Sequence, residues 1–243
     1  MKKWILFLII FLQLSCGRRN NDHTENEDSI ADSVENIIIE NVADEELITE
    51  SENDISFSYT NISKYEYETL KKDNKNEILS VPEEKFEETD KGLSIKLSNG
   101  KTLSFVNNDG EECESCIEIY RYVGFSTAHN LHVYYQHLYE STEFFLVNEQ
   151  GGAFHIWGEP SFLNGSNLMF CISGLLVYDI DNGFQIYEIK ENIPVLLKQY
   201  DITDWIPNYA FWINNDELVM EQDFPYDGNS VPPSKYIKLK IIG

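Results

Sequence analysis

Short apolar segments separated by turn residues run through most of this chain, and they constrain its fold more than any other feature. The segments are rich in β-branched and aromatic side chains, and turn clusters separate them about every 8 to 12 residues. Within residues 55–243, only residues 65–73 have a pattern compatible with a helix. The pattern predicts an all-β fold with thirteen strands, at 93–97, 103–105, 117–125, 131–138, 144–147, 153–157, 168–172, 175–180, 184–189, 195–200, 209–213, 217–221 and 236–241.

Two pairs of segments repeat within this region. Residues 145–152 align with 176–183, and residues 162–169 align with 212–219. An apolar strand, a polar turn and another strand recur, and this pattern resembles the blades of β-propellers. At about four strands per blade, thirteen strands give about three blades, fewer than a closed ring needs. The resemblance implies an antiparallel meander that forms an incomplete or atypical β-propeller, and a β-sandwich or barrel is the alternative.

The amino terminus is organised like a secretory signal peptide. Lys2 and Lys3 precede an uninterrupted apolar run at residues 4–12. As a helix this run would extend only ~14 Å, about half the thickness of the hydrocarbon layer. We therefore expect residues 1–16 to direct export and not to span a membrane.

The residues that close the apolar run, Leu-Gln-Leu-Ser-Cys at 12–16, resemble the lipobox of bacterial lipoproteins. In that family the chain is cut before the cysteine, so the resemblance implies that Cys16 becomes a lipidated first residue. The family prefers Leu three places before the cysteine, where this chain has Gln13. Ordinary cleavage after Gly17 is the alternative. An Asp after the cysteine often signals inner-membrane retention in the family, so Gly17 favours the outer membrane.

Residues 17–54 carry 13 acidic side chains against Arg18 and Arg19, without any aromatic residue or proline. This composition predicts a disordered acidic tether, in which only residues 34–42 have the potential for a short helix or strand. The remaining residues, 55–243, form the predicted β domain and carry 29 acidic and 14 basic side chains. Because a phosphate backbone is bound through Lys and Arg, this charge excludes nucleic acid as a partner.

Few residue patterns in the domain point to chemistry. Cys113 and Cys116 are predicted to form a short disulfide, because an exported chain meets an oxidising compartment. His129, His132 and His137 are close in sequence, but His132 and His137 should point to opposite faces of a strand, which opposes a shared metal site. Residues 179–183 resemble a calcium loop without its closing glutamate, and a hairpin turn explains them better. No metal or other cofactor is predicted.

Three tryptophans, Trp157, Trp205 and Trp212, are the candidate binding residues. Exposed aromatic rings stack on sugars or anchor protein partners, although rings of this kind also fill the core of a sheet protein. Because the sequence contains no nucleophile motif, the leading hypothesis is a lipid-anchored, non-catalytic envelope protein that binds or positions a protein or glycan. A carboxylate-dependent hydrolase of glycans or peptides is one alternative. An inhibitor or immunity factor for a cationic, envelope-attacking enzyme is the other.

Overall fold

The structure is a computed structural model that describes residues 37–38, 55–111, 113–174, 182–225 and 232–242. The predicted signal peptide 1–16, the lipidation site Cys16 and all of the acidic segment except residues 37–38 lie outside the described residues. So do the predicted strand at 175–180 and the aspartates of the loop at 179–183.

The described part of the chain confirms the all-β prediction, with sixteen strands, one α-helix and two 3-10 helices, at Glu83–Lys85 and Glu114–Cys116. No helix in that part is long and apolar enough to cross a membrane. The other elements are β1 (Ile37–Ile38), β2 (Ser56–Ile62), α1 (Lys64–Lys72), β3 (Phe86–Thr89), β4 (Gly92–Lys96), β5 (Thr102–Val106), β6 (Glu118–Ser126), β7 (Leu131–Leu138), β8 (Thr142–Asn148), β9 (Ala153–Ile156), β10 (Ser161–Phe162), β11 (Leu168–Ser173), β12 (Gly183–Lys190), β13 (Ile193–Asp201), β14 (Ile206–Trp212), β15 (Glu217–Asp223) and β16 (Lys235–Ile242).

The strands form four sheets of four strands each. Sheet 1 has the order β1-β5-β4-β3, sheet 2 is β6-β7-β8-β9, sheet 3 is β10-β11-β12-β13, and sheet 4 is β14-β15-β16-β2. Neighbouring strands are antiparallel except β1, which pairs with β5 in parallel. Sheets 2 and 3 each contain four consecutive strands. Sheet 4 combines the last three strands, β14 to β16, with β2, which precedes β3 in the chain.

The sheets pack face to face in series, because alternate residues of a strand point to opposite faces. Leu93 and Ile95 of sheet 1 share a core cluster with Tyr134 and Val147 of sheet 2. The opposite face of sheet 2 packs on sheet 3, and the second face of sheet 3 packs on sheet 4. Sheets 2 and 3 are thus buried on both sides, whereas the second face of sheet 1 carries polar side chains such as Ser94 and Ser104, which are hydrogen-bonded to each other.

Helix α1 covers the second face of sheet 4. The Ser63 hydroxyl caps its amino terminus by accepting a hydrogen bond from the Glu66 amide at 3.1 Å, and two lysines lie in its last turn, where the helix dipole favours cations. Its buried residue, Tyr67, packs on Phe211 and Tyr236 of sheet 4. The helix therefore buries the face of sheet 4 that is opposite sheet 3.

Residues 74–80, which we name the strap, cross the first strands of sheets 4, 3 and 2 after α1. The Lys75 amide donates to the Trp212 carbonyl at 2.8 Å, and the Glu77 amide donates to the Phe162 carbonyl at 2.7 Å. Ser80 and Phe125 exchange two backbone hydrogen bonds. The strap runs so close to β6 that a Cβ atom on Gly124 would lie 2.7 Å from the Leu79 Cβ, so glycine is needed there.

The strand count corrects one expectation. About three blades were expected from thirteen segments, whereas the described residues form four sheets. The strands without a predicted counterpart are β2, β3 and β10. Residues 34–42 do contribute a strand, since Ile37–Ile38 pairs with Leu103 and Ser104 of β5.

Candidate functional site

The candidate site is an open cavity of about 760 Å³ beside the strap, which we name the Trp157 cavity. Its floor contains Asn76 and Glu77 of the strap. Its walls come from the β7–β8 hairpin, the β9–β10 loop, the end of β11 and the middle of β14. Residues of sheets 2, 3 and 4 therefore meet around one concave surface, which has the volume of a typical small-molecule site.

Aromatic side chains line this cavity at different depths. Trp157 is half-buried at the beginning of the β9–β10 loop and packs against the core between sheets 2 and 3. Tyr139, in the β7–β8 hairpin, is 46% exposed, and Tyr209, on β14, is 40% exposed. Because these rings remain accessible, they offer π-faces to a ligand.

The charged side chains in the wall of the Trp157 cavity are acidic. Glu140 and Glu159 are exposed at its edge, and Glu77 is half-buried. Glu77 is already engaged, because its Oε2 accepts a hydrogen bond from the Ser126 hydroxyl at 2.7 Å and its Oε1 accepts one from the Ala128 amide at 3.4 Å. Among the described residues the lining contains no Lys or Arg, and His137 is its one histidine.

A second cavity, the Trp205 cavity, has a volume of about 1180 Å³ and lies between the outer strands of sheets 3 and 4. The rings of Tyr59, Tyr200 and Trp205 line it, with Tyr59 67% exposed and Tyr200 47% exposed. Its lining has mixed charge, from the cations Lys64, Lys198 and Lys235 and the anions Asp201 and Asp204. The three predicted tryptophans therefore do not form one platform.

Trp212 corrects the prediction for the third tryptophan. Its side chain is fully buried between sheets 3 and 4, where it packs edge-on against Phe170. Its indole N–H donates to the Ser161 carbonyl at 2.9 Å, and its backbone amide donates to Asn76 Oδ1 at 2.9 Å. A fully buried ring cannot contact a ligand, so Trp212 is a core residue and not part of a binding surface.

The structure gives three cysteines, Cys113, Cys116 and Cys171, a defined state. Cys113 and Cys116 are joined by a disulfide with a Cα–Cα distance of 5.2 Å. Cys171 is a buried free thiol on β11, and burial raises its pKa to about 12. Since a nucleophilic thiol must ionise near neutral pH, Cys171 is unsuited to thiol chemistry.

The histidines do not gather into a site. His132 is fully buried, whereas His137 on the same strand is exposed, as their odd spacing predicts. No group of three or more potential metal ligands occurs among the described residues. His129 is also buried and stacks on Phe162.

Sequence reasoning missed a buried polar cluster between sheets 1 and 2. The Tyr122 hydroxyl is hydrogen-bonded to His132 Nδ1 at 2.8 Å, and His132 Nε2 lies 3.7 Å from Glu149 Oε1. Glu149 also pairs with Lys85 and accepts a hydrogen bond from the Ser98 amide at 2.6 Å. Its five members come from different strands and turns between residues 85 and 149, so no local sequence signal connects them.

Comparison with known proteins adds no relative: no protein-family model, curated protein or solved structure matches the chain. A function can therefore be inferred only from the residues and the geometry of this chain.

Proposed function

We propose that this chain is a lipid-anchored protein of the cell envelope whose β domain binds another macromolecule without chemically altering it. The observation that carries the proposal is the Trp157 cavity, in which the half-buried ring of Trp157 and the exposed rings of Tyr139 and Tyr209 line one concave surface. Accessible aromatic rings in a cavity are the usual anchors of protein and glycan ligands. A half-buried carboxylate in its floor, Glu77, has both oxygens occupied by hydrogen bonds within the protein.

The anchor is proposed from the sequence. The run at residues 4–12 and the lipobox-like Leu-Gln-Leu-Ser-Cys at 12–16 support export and acylation of Cys16, and Gly17 supports the outer membrane as destination. Acyl chains on Cys16 would hold the chain at a bilayer, and the acidic segment 17–54 would link the anchor to the domain. A self-repelling acidic segment of this kind favours distance between a bilayer and the domain.

The interpretation of the four sheets as blades of an incomplete β-propeller belongs to the same proposal. Four consecutive units of four strands, packed in series through three core clusters, support this interpretation. So does the strap, which lies along the first strands of sheets 2, 3 and 4. In the open ring that we propose, α1 covers sheet 4 on the side where a closed ring would continue to sheet 1.

The binding proposal is tested by crosslinking in intact cells. A photo-crosslinking amino acid at Tyr139, on the rim of the Trp157 cavity, is expected to capture a partner. The same amino acid at Val106, which is 72% exposed on sheet 1, is the matched control and should not capture it. Equal capture at both positions, or none at Tyr139 under several growth conditions, would contradict a partner site at this cavity.

The anchor is tested by metabolic labelling with radioactive palmitate. The wild-type chain is expected to incorporate label and to sediment with outer-membrane vesicles, whereas Cys16→Ser should remove both properties. Cys171→Ala is the control, because its buried thiol is not the predicted acylation site. An unlabelled wild-type protein that is released as soluble material would overturn the anchor.

A further inference from the structure

We infer that the Trp157 cavity binds a cationic segment of a partner protein through its lysine or arginine side chains. This inference rests on the proposed binding function and names the chemistry of the partner. Three properties of the cavity carry it: the sign of its charge, the accessibility of its rings, and the exposure of its rim.

The charge of the wall has one sign. Glu77, Glu140 and Glu159 line the cavity, and the described lining has no Lys or Arg. The β domain as a whole also carries 29 acidic against 14 basic side chains. A concave acidic wall on an acidic protein attracts cations and repels anionic ligands.

The rings provide the second half of a cation site. Ammonium and guanidinium groups are attracted to the faces of Trp and Tyr within about 6 Å of the ring centre. Tyr209 already binds one such group from within the protein, because Lys71 Nζ on α1 lies 4.2 Å from its ring centre. This contact shows that an ammonium group is accommodated at the rim residue Tyr209.

The rim indicates a segment of chain as the occupant. Glu140 and Glu159 are exposed at the edge of the cavity, and Tyr139 is 46% exposed. A ligand that uses all of these groups must extend from the cavity over its edge, as a peptide with more than one basic side chain does. A neutral glycan would stack on the same rings but would gain no charge attraction, so charge dependence separates the two ligands.

The experiment measures binding by calorimetry to the full chain purified in mild detergent. The probes are a capped hexapeptide of alternating glycine and lysine, its glutamine counterpart, the small amine agmatine, and fully N-acetylated chitotetraose, which is a neutral sugar. We expect the lysine peptide to bind most tightly, with an affinity that falls as salt is raised, because salt screens exposed charges. Agmatine should bind more weakly than the peptide, since it cannot reach both the cavity and its rim.

Variants locate the binding within the chain. The double variant E140Q/E159Q should weaken binding of the lysine peptide ~5-fold, and Tyr139→Leu should weaken it ~3-fold because a π-face is lost while an apolar side chain is kept. Glu87→Gln, an exposed position on sheet 1, is the control and should change nothing. Every variant keeps the acidic segment 17–54, so any binding to that segment cancels in the comparison.

A substitution of Lys71 should strengthen binding of the lysine peptide, whereas the variants above should weaken it. Lys71→Met removes the ammonium that occupies the Tyr209 ring, so the lysine peptide should bind ~2-fold more tightly. Equal binding of the lysine and glutamine peptides would overturn the cationic ligand, as would binding that is unaffected by E140Q/E159Q. Binding of chitotetraose alone would overturn it too, yet would leave the proposed binding function standing. If crosslinking at Tyr139 captured a partner without a basic segment, the cationic ligand would likewise be overturned and the proposed binding function would stand.

Discussion

Buried polar side chains between sheets 1 and 2 connect the stability of the protein to pH. Burial lowers the pKa of His132 to about 4, with the Glu149 carboxylate opposing this shift and the Lys85 ammonium adding to it. The same residue in the unfolded chain titrates near its ordinary pKa of 6.5. As the pH falls below about 6.5, the unfolded chain therefore binds a proton that the folded chain does not, and the folded state loses stability.

Protonation of Glu149 causes a further loss of folding stability at lower pH. Burial acts to raise the pKa of its carboxyl group, but the hydrogen bonds from Lys85 and the Ser98 amide outweigh burial and hold the pKa below its ordinary value of 4.5. A carboxylate with a lowered pKa stabilises the fold above its ordinary pKa, and this contribution disappears as acid protonates it. Both groups therefore make acid destabilising, His132 from about pH 6.5 and Glu149 below about pH 4.5.

We predict that His132→Asn flattens this pH dependence. The free energy of unfolding of the wild type should fall by about 3 kcal/mol from His132 alone between pH 7 and pH 4. Asparagine does not titrate and retains an acceptor near the Tyr122 hydroxyl, so the variant should lose about 3 kcal/mol less over the same range. Urea unfolding at pH 7, 5.5 and 4 measures the difference. His137→Asn, at an exposed position on the same strand, should behave as the wild type does; an unchanged slope in His132→Asn would refute the assignment.

The tryptophans show that residue type alone does not predict the exposure of a side chain. Trp157, Trp205 and Trp212 all lie beside strands and turns in the sequence, which identifies aromatic anchors but not their exposure. Trp212 is buried because sheet 3 packs on its strand and the strap covers its backbone, and both partners come from distant sequence. His132 and His137 could be assigned to opposite faces, since strand alternation is a local property.

At the scale of elements, the strap holds the first strands of three sheets together. Asn76 is central to it, because its Oδ1 accepts from the Trp212 amide at 2.9 Å and its Nδ2 donates to the Ser161 hydroxyl at 3.4 Å. The two bonds join sheets 4 and 3 through one side chain. Without Asn76, the amide of a fully buried residue would have no acceptor for its hydrogen.

We predict that Asn76→Leu lowers the free energy of unfolding by about 2 kcal/mol, because it leaves the Trp212 N–H unpaired. Chemical denaturation followed by tryptophan fluorescence measures the change. Asn61→Leu, at an exposed position on β2, should alter stability by less than about 0.5 kcal/mol. Equal effects of the two substitutions would mean that the strap contributes little to the cohesion of the sheets.

The elements that the sequence predicted and those that it missed differ in physical character. Strand β7 was predicted at its observed bounds, Leu131–Leu138, because its residues are mostly apolar and buried. Strand β3, with the sequence Phe-Glu-Glu-Thr, is exposed apart from its first residue, so it offers no apolar pattern. Strand β10 is two residues long, and β2 is an exposed edge strand. Such strands form because a neighbouring sheet offers a hydrogen-bonding edge, which is a tertiary property.

At the scale of the whole domain, sheet 4 depends on strands from opposite ends of the sequence. Strand β2 pairs with β16 along its whole length, from Ser56 opposite Ile242 to Ile62 opposite Tyr236. Phe57 of β2 also packs against the core between sheets 3 and 4 and lies edge-on to Phe184. The domain is therefore complete only when β2 is present.

We predict that a truncated chain beginning at residue 55 folds, whereas one beginning at residue 64 does not form a stable sheet 4. The shorter chain loses the Phe57 contacts and exposes the hydrogen-bonding edge of β16, which favours aggregation. Near-ultraviolet circular dichroism and gel filtration distinguish the two chains. A monomeric, fully folded chain from residue 64 would show that β2 is dispensable.

Because Ser56 stands opposite Ile242, a linker could join these two residues without disturbing the pairing of β2 with β16. A short glycine linker between these neighbours, with new ends opened at the exposed Asn99-Gly100 turn, would yield a circularly permuted protein that lacks β1 but keeps the contacts among β2 to β16. Such a permutant would begin and end at the β4–β5 turn of sheet 1 and not on sheet 4, so a surface coupled to its terminus would hold the Trp157 cavity in a different orientation.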